Sequence, residues 1–186
     1  MYAGFDEWPE PPVEGNEADT LIGSLDRQRA TFAWKSGGLD AESLQRTLGP
    51  STVTLGGLLK HLAMVEDYYF SVRLFGRAPA SPFIAVNWEA NPNWDWTWAP
   101  GDTPESLYEL WQRNVDQSRR SITEALAIGG LDQLMAVKWP DGRAPSLRRT
   151  FVDLIEEYAR HVGHADFIRE SIDGLVGEDP PDVHPQ

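Results

Sequence analysis

One stretch, residues 147–174, constrains the fold of this chain more than any other. It reads LRRTFVDLIEEYARHVGHADFIRESIDG and predicts a long helix that ends at Gly174, since glycine is favoured just past a helix end. Positions three and four apart share one face of a helix, so Glu157, His161 and His164 project from one side, with Asp153 on the same stripe. A carboxylate and two imidazoles on one face form a metal-ligand set if that face looks into a pocket.

Three further helices are predicted upstream. An amphipathic pattern covers residues 19–35, a second helix covers residues 54–76, and a third runs from the cap Thr103 to Gly129. Residues 37–53, between the first two helices, are predicted as a loop. Four helices joined by one long crossover predict an all-α fold, a four-helix bundle. Bundles of this kind hold metal sites among side chains of facing helices.

The second predicted helix carries one inward-facing histidine. Its apolar stripe has helical spacing and places His61 towards the interior. The members of that stripe are Leu58, His61, Leu62, Val65, Tyr69, Val72 and Leu74. The acidic pair Glu66–Asp67 on the same helix is interpreted as helix surface or as a contact to an arginine.

The crossover between the second and third predicted helices, residues 77–103, is rich in tryptophan. It carries four of the eight tryptophans, namely Trp88, Trp94, Trp96 and Trp98. Loops of this length are commonly functional or disordered, and so many aromatic residues argue against disorder. Two interpretations stay open: the tryptophans line a hydrophobic pocket over a metal, or they form a packed lid that fills the end of the bundle.

The length and composition predict one domain with two short extensions. An acidic, proline-rich arm is predicted over residues 1–17, the bundle over residues 18–176, and a tail with His184 over residues 177–186. The arm is expected to dock onto the body or onto a partner subunit through its aromatic side chains, which are Tyr2, Phe5 and Trp8.

Charge and cysteine content exclude several classes of function. A net charge of −13 and a pI near 4.6 argue against binding to nucleic acids or anionic membranes. No apolar run is long enough to cross a membrane, and the N-terminus does not resemble a secretory signal, so a cytoplasmic protein is expected. Cysteine is absent, so any metal is held by nitrogen and oxygen ligands, and any reacting thiol comes from a substrate.

The preferred ligand set is His61, Glu157 and His161, a two-histidine, one-carboxylate arrangement with open positions. His164 is a fourth ligand, an alternative ligand or a group that fixes an orientation, and Asp153 is a ligand or is solvated. The competing interpretation is that these histidines are interior residues satisfied by carboxylates.

Three segments together resemble a known family. They are LDRQRATFAWKSGGL in the first helix, LGGLLKHLAMVEDYYF in the second and, most specifically, EEYARHVGHADFIRESIDG in the fourth. Over residues 19–175 the chain resembles the DinB-like superfamily, in its actinobacterial branch related to mycothiol-dependent maleylpyruvate isomerases and bacillithiol-type transferases. The resemblance departs at Asp153, where close relatives often carry histidine.

The resemblance implies a four-helix bundle with a divalent metal, zinc or nickel, at one end, and often a homodimer. Its ligand positions correspond to His61, Glu157 and His161. Relatives use low-molecular-weight thiols such as mycothiol, which the metal activates as thiolates, and transfer them to small electrophiles.

Three hypotheses follow. The first is a metal-dependent thiol S-transferase or isomerase in which His164 orients the ligands or acts as general acid/base, and Trp88, Trp94, Trp96 and Arg160 contact substrate. The second is a non-catalytic, metal-binding bundle with a stress or binding role. The third is a carrier of a small hydrophobic ligand, with structural histidines.

Overall fold

The computed structural model describes residues 8–180, so the predictions for Tyr2, Phe5 and His184 lie outside the described residues. This part of the chain is helical and has one isolated β-bridge, Leu134–Ser146, but no strand. Its five α-helices are α1 (Glu17–Ser36), α2 (Ala41–Leu44), α3 (Leu55–Asp67), α4 (Pro104–Gly129) and α5 (Leu147–Asp173). None of the helices within residues 8–180 is both long and apolar enough to cross a membrane.

The four long helices confirm the predicted all-α bundle. Helix α1 packs against α5, and α3 packs against α4. The short helix α2 lies in the segment that was predicted as a loop; its first turn is capped by Asp40, whose carboxylate accepts from the backbone N–H of Ser43. The core consists of apolar side chains from every long helix, including Leu25, Phe32, Leu58, Leu62, Trp111, Phe151 and Leu154. Burying each such side chain contributes about 1.5–3 kcal/mol.

Side-chain caps fix where the long helices begin. The backbone N–H of Gly57 donates to Thr54 Oγ1 at the start of α3, and Thr103 forms a reciprocal capping box with Ser106 at the start of α4. Helix α5 ends at Gly174, which adopts the left-handed conformation with φ of 78°. The predicted ends of these helices therefore rest on local hydrogen bonds.

Helix α3 continues directly into one π-helical segment, Tyr68–Arg73. The wider turn rotates the following side chains relative to an α-helix, so Phe70 and Leu74 are buried while Tyr69 and Val72 are only partly buried. The predicted apolar stripe holds up to Val65 and again at Leu74, whereas Tyr69 only packs against the edge of the core and Val72 is partly exposed. Single π-helical turns of this kind are frequent at functional sites.

A buried polar cluster joins α1, α3, α4 and α5, and we call it the Glu66 cluster. Arg29 donates two hydrogen bonds to the Glu66 carboxylate, at 2.8 and 2.7 Å. Tyr158 Oη donates to Glu66 Oε1 at 2.7 Å and accepts from Trp111 Nε1 at 2.9 Å. Glu66 is fully buried, so its interpretation as helix surface is wrong and its interpretation as an arginine contact is confirmed.

The tryptophan-rich crossover lies directly on the N-terminal half of α3. The buried Lys60 Nζ donates to Thr97 O at 2.8 Å, lies 3.1 Å from Asp102 Oδ2, and sits 4.0 Å from the centroid of the Trp94 ring. A Cβ at Gly57 would lie 2.9 Å from Trp96 O, and one at Gly56 would lie 3.0 Å from the Trp98 ring. Two successive glycines therefore allow the loop backbone to approach the helix.

The segment before α1 also contacts the body of the same chain. Trp8 is buried and meets Trp34 of α1 edge-on, with ring centroids 6.4 Å apart. Glu10 forms an ion pair with Arg27, also on α1. From residue 8 onward, the predicted arm thus follows the surface of the first helix.

Candidate metal centre

Helices α3 and α5 bring three potential metal ligands together at the crossover end of the bundle. His61 comes from α3, and Glu157 and His161 lie one turn apart on α5. Glu157 Oε1 is 3.0 Å from His61 Nε2 and 3.2 Å from His161 Nε2. One ligand atom from each residue lies within 4.8 Å of the others. The position of α3 beside α5 and the one-turn spacing within α5 thus bring the three ligand atoms close to one point.

The orientation of His61 is fixed by a residue of the crossover. Asp95, buried in the short 3₁₀ turn Trp94–Trp96, lies with Oδ2 2.8 Å from His61 Nδ1. Nδ1–H donates to this carboxylate, which leaves Nε2 directed at Glu157. A carboxylate behind a metal-binding imidazole in this way selects its tautomer and raises its basicity.

The electrostatics of the cluster favour an ionised Glu157 carboxylate and make the His61 imidazole more basic. Burial lowers the pKa of His61, but hydrogen bonds to Asp95 and Glu157 outweigh burial and raise that pKa above its ordinary value. Hydrogen bonds from His161 and then from His61 hold the pKa of Glu157 well below its usual range. A carboxylate and two imidazole nitrogens, each with a free lone pair once the imidazoles are neutral, fit a divalent metal such as zinc or nickel.

His164 lies at the other ring nitrogen of His161. The two Nδ1 atoms are 3.2 Å apart, and His164 is exposed. Partial desolvation of the ring, and then the nearby His161 and Arg160, lower the pKa of His164. His164 is therefore placed to hydrogen-bond with His161 and does not share the point at which the other three ligand atoms meet.

Two other predicted site residues lie at the margin. Asp153 is one turn before Glu157 and borders the same cleft, while its carboxylate pairs with Arg149 Nε at 2.6 Å. Arg160 is exposed and pairs with Glu156 at 3.2 Å on the outer side of α5. The structure brings Asp153 near the cluster and does not bring Arg160 there.

The predicted tryptophans occupy three different positions. Trp96 stacks on His61 with ring centroids 4.1 Å apart and lies 5.6 Å from His161. Trp94 lies under Lys60 and packs edge-on against Trp88, which is itself 38% exposed. Trp96 therefore covers the ligand cluster, Trp94 supports the loop, and Trp88 is at its rim.

Two cavities adjoin the cluster. A cleft of about 360 Å³ is lined by His61 and Glu157 together with Tyr69 and Asp153. A second cavity, of about 400 Å³, lies under the crossover and has walls that include Asp95 and Trp96. Met64 and Tyr68 border both, so the two cavities are neighbours on either side of the same helical turn.

Two features of this site have no clear signal in the sequence. Asp95 is an ordinary loop aspartate whose role depends on the path of the crossover, and only its position among tryptophans marks it. Asp67, which was interpreted with Glu66 as helix surface or as an arginine contact, is buried at the end of α3 and lines the second cavity.

Comparison with known proteins supplies the family. No curated protein matches this sequence. A family model described as mycothiol S-transferase matches residues 20–174, which is most of the chain and includes every residue of the ligand cluster. The match agrees with the resemblance carried by the first, second and fourth predicted helices. The chain therefore belongs to the mycothiol S-transferase family, a DinB-like family of thiol-related transferases.

Proposed function

We propose that this protein is a metal-dependent S-transferase that uses a low-molecular-weight thiol of the mycothiol type. The observation that carries the proposal is the convergence of His61, Glu157 and His161 within 4.8 Å, with the first imidazole already oriented by Asp95. A bound zinc or nickel ion lowers the pKa of a thiol, so that a thiolate nucleophile exists near neutral pH. Family membership supplies the thiol, because the chain has no cysteine of its own.

Each residue of the site has a proposed role. His61, Glu157 and His161 hold the metal, and Asp95 holds His61 in the tautomer that exposes Nε2. His164 contacts His161 at its second ring nitrogen and is proposed as a positioning residue that acts through that imidazole.

The surroundings support chemistry in a partly dry site. Trp96 stacks on His61, and the adjoining cleft exposes mostly apolar surface from Met64, Val65 and Tyr69. Excluding water in this way strengthens the electrostatic interaction between the ligands, a bound metal and a thiolate held by it. We propose Trp96 and Trp88 as substrate contacts at the inner and outer ends of the crossover.

The test begins with metal content. We expect untagged protein to contain about one zinc or nickel per chain by plasma mass spectrometry, as a single three-residue site requires. His61→Ala will lose the metal. His164→Ala is the matched control, since it removes a neighbouring imidazole that is not in the proposed ligand set, and it will keep the metal.

Activity is measured on the same three proteins. Wild-type protein with mycothiol and a fluorogenic electrophile will form the thioether, and His61→Ala will not. Protein that contains no metal and takes up none on addition of zinc or nickel would refute the proposal. Metal bound without any exchangeable position would instead favour the non-catalytic, metal-binding bundle.

A carrier of a small hydrophobic ligand is the second candidate, favoured by the apolar cavity of about 400 Å³. It requires that metal-free protein bind apolar ligands with a shift in tryptophan fluorescence. A homodimer and a cytoplasmic location remain predictions, which light scattering and cell fractionation would check.

A further inference from the structure

The cavity of about 400 Å³ beside the ligand cluster has a distinctive wall. Its aromatic lining comes from Tyr68, Phe83, Trp88 and Trp96, and the remaining apolar surface comes from Met64, Val72 and two prolines. Two carboxylates, Asp67 and Asp95, complete it. No lysine, arginine or histidine is among the residues that line this cavity.

Asp67 is the unusual member of this wall. It is 3% exposed, its Oδ2 accepts from the backbone N–H of Ala80 at 2.9 Å, and its buried Oδ1 has no hydrogen-bond partner among the described residues. Burial raises the pKa of this carboxyl above its ordinary value. A buried carboxylate without a partner costs stability, so a ligand that places a positive charge beside it gains that energy on binding.

The second carboxylate is not equivalent. Asp95 is already engaged by His61 Nδ1, whereas Asp67 faces no cation at all within the described part of the protein. Nearby basic groups are engaged elsewhere: Lys60 of α3 is tied to Thr97 and Asp102, and Arg73 donates to Tyr68 Oη and Val137 O. The cavity therefore carries negative charge and aromatic faces and offers an anion nothing to bind.

Aromatic faces next to a carboxylate form the usual recognition site for an organic cation, because the ring quadrupole and the negative charge attract the same group. An anionic acid in this cavity would lie between two carboxylates with no basic side chain. A neutral apolar molecule would satisfy the rings and leave Asp67 without a partner.

We propose that the cavity between α3 and the crossover binds an alkylammonium group, held by Asp67 and the rings of Tyr68, Trp88 and Trp96. The cavity shares Met64 and Tyr68 with the cleft at the ligand cluster, so the bound group belongs to the acceptor substrate. Calling it a substrate rests on the proposed S-transferase function; the binding of the cation does not. The acceptor is thus a cationic electrophile and not a carboxylate.

Three probes of the same shape test this. They are choline, its uncharged isostere neohexanol, and the anion tert-butylacetate. Binding is followed through the indole N–H signals of the protein by NMR at neutral pH and fixed ionic strength, with metal-free and zinc-loaded protein. We expect choline to bind at least about tenfold more tightly than neohexanol and to shift the Trp88 and Trp96 signals. Tert-butylacetate will bind most weakly.

Two variants assign the effect to the cavity. Asp67→Asn keeps the size of the side chain and the acceptor for Ala80, and it will remove the preference for choline. Trp88→Leu, at an exposed position, will weaken choline by about fivefold. Glu89→Gln is the matched control, because it removes a negative charge from the same loop at an exposed residue outside the cavity, and it will bind choline like the wild type.

The outcomes separate this proposal from the proposed function. Equal or tighter binding of neohexanol, tighter binding of the anion, or no binding of any probe by the folded wild-type protein would each overturn it. A preference for choline in protein that never binds metal would support the cation site and refute the transferase. A zinc-loaded, active protein without that preference would support the transferase and refute the cation site.

Discussion

Helices α3 and α5 hold two polar clusters of opposite character. In the Glu66 cluster every charge is matched, since Arg29, Tyr158 and the carboxylate satisfy one another in the interior. In the His61–Glu157–His161 cluster three ligand atoms point at one another and border an open cleft. The same two helices thus carry one cluster whose charges are paired within the protein and one whose ligand atoms are suited to bind an additional positive charge.

On the proposed function, stability and metal binding rest on different clusters of this fold. Burial and then the charge of Glu66 raise the pKa of Tyr158 well above its ordinary value, so its hydroxyl stays protonated and keeps donating. The ligand cluster is held instead by hydrogen bonds that a metal would replace. Adjacent residues of α3 repeat the contrast, because Glu66 is fully paired while Asp67 has an oxygen without a partner.

The largest expected effect is on stability, from Glu66→Ala. Removing this carboxylate leaves the Arg29 guanidinium buried without its main partner, which typically costs about 3–5 kcal/mol. Denaturant unfolding of metal-free protein measures the loss, with Glu157→Ala as the comparison. Glu157 is partly exposed, so its removal will cost about 1 kcal/mol or less. Equal losses would mean that the two clusters do not differ in structural role.

The next effect is on metal affinity, from Asp95→Asn. The amide keeps the size of the side chain but weakens the hydrogen bond that orients His61. Loss of such a partner typically lowers metal affinity by about 10–100-fold. Competition with a chromophoric chelator measures the affinity, and Glu89→Gln serves again as the control. An unchanged affinity would show that His61 is oriented by Trp96 and Glu157 without Asp95.

A smaller effect with a defined pH dependence is expected for Asp67→Asn. Burial raises the pKa of this carboxyl from an ordinary value of 3.8, so ionising it costs more in the folded than in the unfolded state. The free energy of unfolding of the wild type therefore falls as the pH rises above 3.8, and the loss is complete above the pKa of Asp67 in the folded state. The variant will therefore be more stable by about 1 kcal/mol at pH 7, and the gain will vanish below pH 3.8. Urea unfolding at both pH values checks this; a gain of equal size at low pH would exclude ionisation as its cause.

The smallest effect is expected at the rim of the cleft, from Arg149→Ala. Arg149 pairs with Asp153 across one turn of α5, and its side chain is 62% exposed. Exposed pairs of this kind contribute little to stability because solvent screens them. The change in unfolding free energy will be the smallest of the four variants and will shrink in high salt. Tighter metal binding by the variant would show that Arg149 keeps Asp153 from acting as a ligand.

The helical part of the site could be predicted because periodicity reports which residues share a face. His61 was expected to face inward and to meet Glu157 and His161, and the structure brings these three together. The prediction was less accurate for Tyr69 and Val72, which are only partly buried, because the π-helical segment breaks the period on which it rested. The amino-acid sequence of residues 68–73 contains no pattern that predicts a π-helical turn.

The loop part could not be predicted, because a loop has no period that assigns directions to its side chains. The crossover was expected to line a pocket or to form a packed lid. The pairing of Asp95 with His61 could not be predicted, because it depends on how residues 34 positions apart are folded together. The burial of Glu66 likewise depends on Arg29, 37 positions away. Sequence patterns within one helix carry no information on such distant partners.

The glycines at the start of α3 have a consequence for protein engineering. Replacing Gly56 or Gly57 by alanine favours an isolated helix by about 1 kcal/mol, so a stabilising design based on propensity would choose both. In this protein the added methyl group at Gly57 would meet Trp96 O at 2.9 Å and displace the backbone that carries Asp95. A variant designed in this way would gain helix propensity and would have a misaligned His61 imidazole, more than one turn away from the substitution.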